Sequence, residues 1–288
     1  MGLAIREVAS VFKLRIGVAI AFSALAGLAV TPGPAPAAWK IAVLVLAVLV
    51  SAASAGAYNQ YAERDLDARM DRTRGRPFVS GAFRADGRWL AAIAILLAAS
   101  VAAAAWAANL LAALYVFLGA FTYGIVYTVW LKRRTWLNIV VGGLAGSFAV
   151  LAGAAAVDPG LAPAPLLLAI VMFLWTPPHF WSLATALRAD YEAAGVPMLP
   201  VVLGDAVAAR VILAHTVALV ALSLVPAAFG LGWLYLGAAA LGGAWFLWKS
   251  IALLRAPGPK AAMANFHASL GQLGLLLAGA VADGWLHV

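Results

Sequence analysis

Residues 89–131 read WLAAIAILLAASVAAAAWAANLLAALYVFLGAFTYGIVYTVWL, 43 residues without a formal charge. A bilayer-spanning helix needs about 20 largely apolar residues. This run is long enough for two, with a tight turn at Ala108 and Asn109. A helix on the surface of a soluble domain keeps a polar face, and this stretch offers none. It also lacks the ten-residue alternation of a membrane β-barrel, so the spans are expected to be helices.

The pattern extends to both sides. Uncharged runs at 16–39, 41–62, 135–157, 159–187, 211–248 and 261–282 supply seven more spans, the fifth of these runs being split near Gly230 and Gly232. The expectation is an all-α, polytopic membrane protein of nine transmembrane helices. They lie at about 16–38, 41–58, 89–107, 109–130, 137–157, 163–187, 209–229, 232–250 and 262–284, in one domain covering 1–288. Composition agrees: of 288 residues 65% are apolar and 10% charged, against roughly 45–50% and 25% in soluble domains. Soluble, disordered and disulfide-stapled classes are excluded, and with no cysteine so are thiolate nucleophiles and Cys-based metal sites. Ala-rich stretches such as 98–108 read as close helix packing by small residues.

Charge orients the bundle. With the amino terminus inside, segments 1–15, 59–88, 131–138, 188–210 and 249–260 hold 18 of the 19 Lys and Arg residues, and only Lys40 lies on the other face. The positive-inside rule then predicts a cytoplasmic amino terminus with the carboxyl terminus opposite, and the expected location is the cell (inner) membrane, crossed many times. The bilayer is the expected partner, and no nucleic acid is.

Segment 59–88 carries 12 of the 30 charges. Within it Asn59, Glu63, Asp67 and Asp71 recur every four positions, which stacks them on one helix face. Acids at that spacing repel, so a positive partner is required. The following Arg69, Arg72, Arg74 and Arg76 supply part of it, and a divalent cation would supply it better. With no Cys, and with His179, His215, His267 and His287 far apart, the donor set argues against zinc. Oxygen donors suit Mg²⁺, which takes one or two carboxylates and completes its shell with water and substrate phosphates. The competing reading is a charged loop that only sets topology, although topology needs no periodic acids.

A second polar cluster follows the sixth span: Thr176-Pro177-Pro178-His179-Phe180-Trp181, then Arg188, Asp190, Tyr191 and Glu192. Asp190 is a candidate second metal ligand. His179 lies in an apolar helix after a double proline expected to kink it; it reads either as a ligand or as a hydrogen-bonded packing residue. Lys132, Arg133 and Arg134, and likewise Lys13 and Arg15, read either as positive-inside turns or as anion binders. The topology puts all these clusters on one face.

Asn59 to Pro77 resembles the first acidic motif of the UbiA-type intramembrane prenyltransferases, an N-x-x-x-D-x-x-x-D followed by R-T-x-x-R-P, with Arg72, Thr73, Arg76 and Pro77 matching the tail. Pro177-Pro178-His179-Phe180-Trp181, Asp190-Tyr191 and Gly195–Pro200, with Tyr127-Thr128, Leu131–Arg133, Asn138–Val140 and Gly142-Gly143, are similar to the protohaem IX farnesyltransferase (haem O synthase) branch. The resemblance runs from about Lys13 to Pro200. Glu63 stands where the family usually has Asp, Leu14 replaces the proline of a K-P-R element, and Gly146–Gly153 lacks prolines many members have. Ala186 and Ala194 leave Asp190 without a carboxylate partner four residues away.

The resemblance implies a bundle with a central cavity capped by cytoplasmic loops. It implies transfer of the farnesyl group of farnesyl diphosphate to a vinyl group of haem B, giving haem O for terminal oxidases. Haem B is then a substrate and Mg²⁺ the cofactor. Asn59, Glu63, Asp67 and Asp190 are the expected catalytic residues, with Asp71 added as a metal ligand. Lys132, Arg133, Arg72, Arg76, Lys13, Arg15 and Arg188 are expected on the diphosphate, and His179 on the haem. A haem A synthase or terminal oxidase is the implied downstream partner. The alternatives are a quinone-precursor or other tetrapyrrole acceptor within the superfamily, or a transporter or haem-handling assembly factor outside it.

Overall fold

The computed structural model describes residues 2–286, with side chains from Arg6 onward, so His287 lies outside the described residues. Among the described residues eight helices are long and apolar enough to cross a membrane. A ninth, α1 (Leu14–Ala29), is apolar but spans only 16 residues. The others are α2 (Ala38–Ala62), α3 (Gly87–Ala107), α4 (Leu110–Leu131), α5 (Asn138–Val157), α6 (Pro163–Ala186), α7 (Asp205–Phe229), α8 (Trp233–Arg255) and α9 (Pro259–Leu286). The first span was expected to reach residue 38. Pro32, Pro34 and Pro36 end it early, since proline removes backbone donors and clashes with the preceding turn.

The predicted turns are observed. After α3, Asn109 caps α4 by accepting from the amide of Ala112 at 2.9 Å and ties the turn to α5 by donating to the Ala155 carbonyl at 2.6 Å. Gly230, with φ of 101°, closes the turn between α7 and α8. Helix α6 runs unbroken through Pro177 and Pro178, and Ser182 donates to the Pro178 carbonyl at 2.5 Å.

Two sub-bundles form the molecule. One apolar core joins α1 to α5, and another joins α6 to α9 with the faces of α1 and α5 that meet them. Helices α1 and α5 approach closely because each carries a glycine at the contact. A Cβ on Gly27 would strike the Val150 carbonyl, and one on Gly153 the Ala24 carbonyl. Exposed Trp39, Trp106, Trp233 and Trp285 gather at one end of the helices and Trp130 and Trp248 at the other, the two aromatic belts of a membrane protein. The end bearing Trp130 also bears the Lys- and Arg-rich loops, which pack over it through Leu66, Met70, Tyr127, Tyr191, Val196 and Met198.

Candidate active site

The row predicted from sequence exists. Helix α2 stops at Ala62, but the amide of Glu63 still bonds to the Asn59 carbonyl at 3.0 Å and that of Asp67 to the Glu63 carbonyl at 2.8 Å. The four-residue spacing therefore survives the break. Asn59, Glu63 and Asp67 are all buried, at 2%, 1% and 2% exposure, which for two carboxylates demands cationic partners.

Each is answered by one cation. Lys13 Nζ donates to Asn59 Oδ1 at 2.5 Å and to the Tyr123 hydroxyl at 3.0 Å. The Lys132 ammonium bonds Glu63 Oε2. Arg76 donates to both carboxylate oxygens of Asp67 at 2.8 and 2.7 Å. Asn59 also donates to the Thr128 hydroxyl at 2.9 Å. Three separate elements thus converge: the α2 extension, the entry to α1, and the end of α4.

Local geometry explains the convergence. Lys13 joins a short helix (Gly2–Val11) to α1 with φ 48° and ψ 43°, the left-handed region that a lysine rarely adopts. Strain of that kind is held in place by surrounding structure and gathers at functional sites. Its stem lies 3.4 Å from where a Cβ of Gly56 would sit, so Gly56 makes room for it one turn above Asn59. Over Thr122–Leu131, α4 winds as a π-helix, with the Lys132 amide bonded to the Tyr127 carbonyl at 2.9 Å. Such wide turns occur chiefly at functional sites. Here it turns Tyr123, Thr128 and Lys132 toward α2, and stacks Tyr123 on Tyr127 at 5.6 Å.

Burial lowers the Lys13 ammonium to about 7, helped by the nearby Arg76 and opposed by Glu63 and Asp67. Burial also raises the Tyr191 hydroxyl, against the pull of the Arg72 guanidinium that it meets.

A family model described as the UbiA prenyltransferase family matches residues 20–273. The chain belongs to the UbiA prenyltransferase family. Protoheme IX farnesyltransferase 2 of Paramagnetospirillum magneticum is 62% identical over 279 residues, which cover 97% of each chain. Protoheme IX farnesyltransferase of Alkalilimnicola ehrlichii is 41% identical over 98% of this chain and 94% of that one. The fold is likewise shared with solved structures. One of digeranylgeranylglyceryl phosphate synthase superposes with a TM-score of 0.78 at 16% identity, covering 97% of this chain and 98% of its own. A UbiA homolog from Archaeoglobus fulgidus bound to DMAPP and Mg²⁺ gives 0.73 at 16% identity, covering 96% and 99%.

Within this UbiA fold the other expected residues lie as follows. Asp71 leaves the row and is exposed, paired with Arg74 at 3.2 Å. Asp190 accepts from the backbone amides of Asp71 and Arg72, both at 3.3 Å, and so clasps one loop to the other. Arg133 forms a two-pronged pair with Asp65 at 2.7 and 2.8 Å. That pair holds the Asp65 carboxyl below the usual carboxylate range. Arg188 binds Glu192 at 2.6 Å and Asp205 at 3.4 Å, and Arg15 is exposed. None of these last three cations joins the buried row. His179 is buried, its Nδ1 2.7 Å from the Ser269 hydroxyl and its ring stacked between Trp175 and Phe266 at 4.1 and 4.5 Å. Sequence reasoning gave no role to Tyr123 or Thr128. Tyr127-Thr128 was visible only as part of a motif.

The donors fit Mg²⁺. Among the described residues no three acidic or histidine side chains surround one point, but Mg²⁺ takes only one or two protein carboxylates. Glu63 Oε1 is buried without a hydrogen-bond partner, an unused oxygen where such an ion needs one.

Proposed function

We propose that this integral membrane protein transfers the farnesyl group of farnesyl diphosphate to a vinyl group of haem B, giving haem O. One observation carries the reading: a buried Asn59–Glu63–Asp67 row faced by Lys13, Lys132 and Arg76 at the basic end of a UbiA-type bundle. The high identity to proteins named protoheme IX farnesyltransferase supports the choice of substrates.

Asn59, Glu63 and Asp67 would hold Mg²⁺. When bound, the ion supplies charge neutralisation for the diphosphate leaving group. Lys13, Lys132 and Arg76 bind the same group, and Arg72, at the loop edge beside Tyr191, closes over it. In the loaded site, cations held against charge that develops in the transition state lower the barrier. The C1–O bond of the farnesyl group breaks with its electron pair going to diphosphate, leaving an allylic cation. The stacked Tyr123 and Tyr127 offer π faces beside the site, suited to such a cation. The terminal vinyl carbon of haem B attacks C1, and water captures the new cation next to the ring and gives up a proton, leaving a hydroxyl. Burial of the row keeps water from the allylic cation before this attack. His179 orients the haem through the ring nitrogen that Ser269 does not use.

The basic end is cytoplasmic in this reading, the membrane is the cell (inner) membrane, and a haem A synthase or terminal oxidase takes the product. The test is a mass spectrum of haem extracted after incubating the purified protein with haem B, farnesyl diphosphate and Mg²⁺, with EDTA as control. The expected product carries a hydroxyethylfarnesyl group and disappears with EDTA and in Asp67→Asn. Diphosphate release with aromatic acceptors but no haem product would replace the acceptor. No release with any acceptor would overturn the enzyme reading.

A further inference from the structure

In the described structure all but one of the oxygens assigned to the metal are already taken, Glu63 Oε1 being the exception. Lys13 holds Asn59 Oδ1, Lys132 holds Glu63 Oε2, and Arg76 holds both oxygens of Asp67. Two carboxylates thus face three basic side chains, and the site is close to charge balance with nothing bound. A divalent cation entering alone would bury two further positive charges among those bases. A prenyl diphosphate entering alone would bury about three negative charges, most of them phosphate oxygens ionised at neutral pH. Both are costly where water is excluded. Together they nearly cancel.

We propose that Lys13, Lys132 and Arg76 are exchangeable counter-ions: they hold the Asn59, Glu63 and Asp67 oxygens while the site is empty and pass to the diphosphate when a divalent cation takes those oxygens. The proposal rests on the reading of this site given above and adds a consequence that the reading does not contain. Metal and prenyl diphosphate bind cooperatively, each weakly alone, so the leaving group is activated only in a fully loaded site. Two features support exchange over a permanent pairing. Lysine ammonium groups are compact point charges on flexible stems, able to move from one oxygen to another. Glu63 Oε1 is buried without a partner, so the present arrangement leaves a polar atom unpaired that a metal would satisfy.

The test uses Mn²⁺ as the probe, read from the free-ion EPR signal of the detergent-purified protein. Titrations run with and without farnesyl thiodiphosphate, which resists ionisation, and against protein-free analogue. The wild type should bind Mn²⁺ about tenfold or more tightly when the analogue is present, a coupling of ordinary size. Lys132→Gln should bind Mn²⁺ alone more tightly than the wild type, because Glu63 is released, and should lose most of the coupling. Lys132→Arg should behave as the wild type does. Lys13→Met, expected to shift in the same direction, serves if Lys132→Gln is not monodisperse. Equal Mn²⁺ affinity with and without analogue in the wild type would overturn the proposal, as would unchanged or weaker metal-alone binding in the neutralised variants. Absence of Mn²⁺ binding in every condition, with Asp67→Asn indistinguishable, would instead remove the metal site on which the proposal rests.

Discussion

Replacing Lys132 by Met tests whether the buried row depends on its cations. The Glu63 side chain is 1% exposed and that of Lys132 11%. Lys132 is the partner of Glu63 Oε2, and Oε1 has none. The variant would therefore bury a carboxylate with neither oxygen satisfied. Breaking a buried pair in this way costs roughly 3–5 kcal/mol, much more than the pair contributes in net stability. At about 2–4 °C per kcal/mol, the expected fall in melting temperature is roughly 6–20 °C. The assay is loss of the monodisperse peak after heating in detergent with EDTA. Glu63→Gln/Lys132→Met, which removes both charges, should recover most of the loss, and added Mg²⁺ should partly rescue the single variant by replacing the ammonium. A single variant within 2 °C or so of the wild type, or a double variant no better than the single one, would refute the claim that Glu63 is a charged, desolvated group held by Lys132.

Other parts of the structure can be tested in the same assay. Gly153→Ala places a methyl against the Ala24 carbonyl, whereas Gly237→Ala in α8 meets nothing within 4 Å; the first should cost about 1–3 kcal/mol by forcing α1 and α5 apart, and the second should leave the melting temperature unchanged or raised. Asp283 accepts from the amides of Gly232 at 2.6 Å and Tyr235 at 3.4 Å and so caps α8; Asp283→Ala should cost about 1–2 kcal/mol, as lost helix caps do. The Asp65–Arg133 pair is half-exposed, so Arg133→Gln should cost less than about 1 kcal/mol at pH 7. Because Arg133 lowers the folded-state value of Asp65, that contribution is complete above the unfolded carboxyl's range and is lost as pH falls through the folded value. The gap between variant and wild type should therefore begin to narrow below about pH 4 and vanish once the folded value is passed, and a gap that did not narrow would show that the pair is not its origin.

Most of the bundle was legible because the bilayer imposes a simple rule. A charge-free run of twice the membrane thickness must reverse, and Asn109, able to cap a helix, marks where α3 gives way to α4. The prolines at 32, 34 and 36 were equally legible, and their effect on α1 was underestimated. Asn59, Glu63 and Asp67 could be read because their spacing matches the ordinary helix, and i→i−4 bonding carries it past the end of α2. Asp71 could not be separated from them by spacing alone, since only the turn after Asp67 takes it to the surface. The cations posed a different problem: sequence counted the basic residues of each loop but did not say which would be paired elsewhere, as Arg133 is with Asp65 and Arg188 with Glu192. The far wall of the site was hidden for a geometric reason. On an α-helix Tyr123 and Thr128 would lie about 140° apart and could not both face α2. They do so only because α4 winds with wider turns over Thr122–Leu131, a winding without a periodicity signature of its own. The site is therefore assembled where α2 ends, where α4 departs from regular winding and where Lys13 takes a strained backbone, so the residues that periodicity reads least well are the ones that complete it.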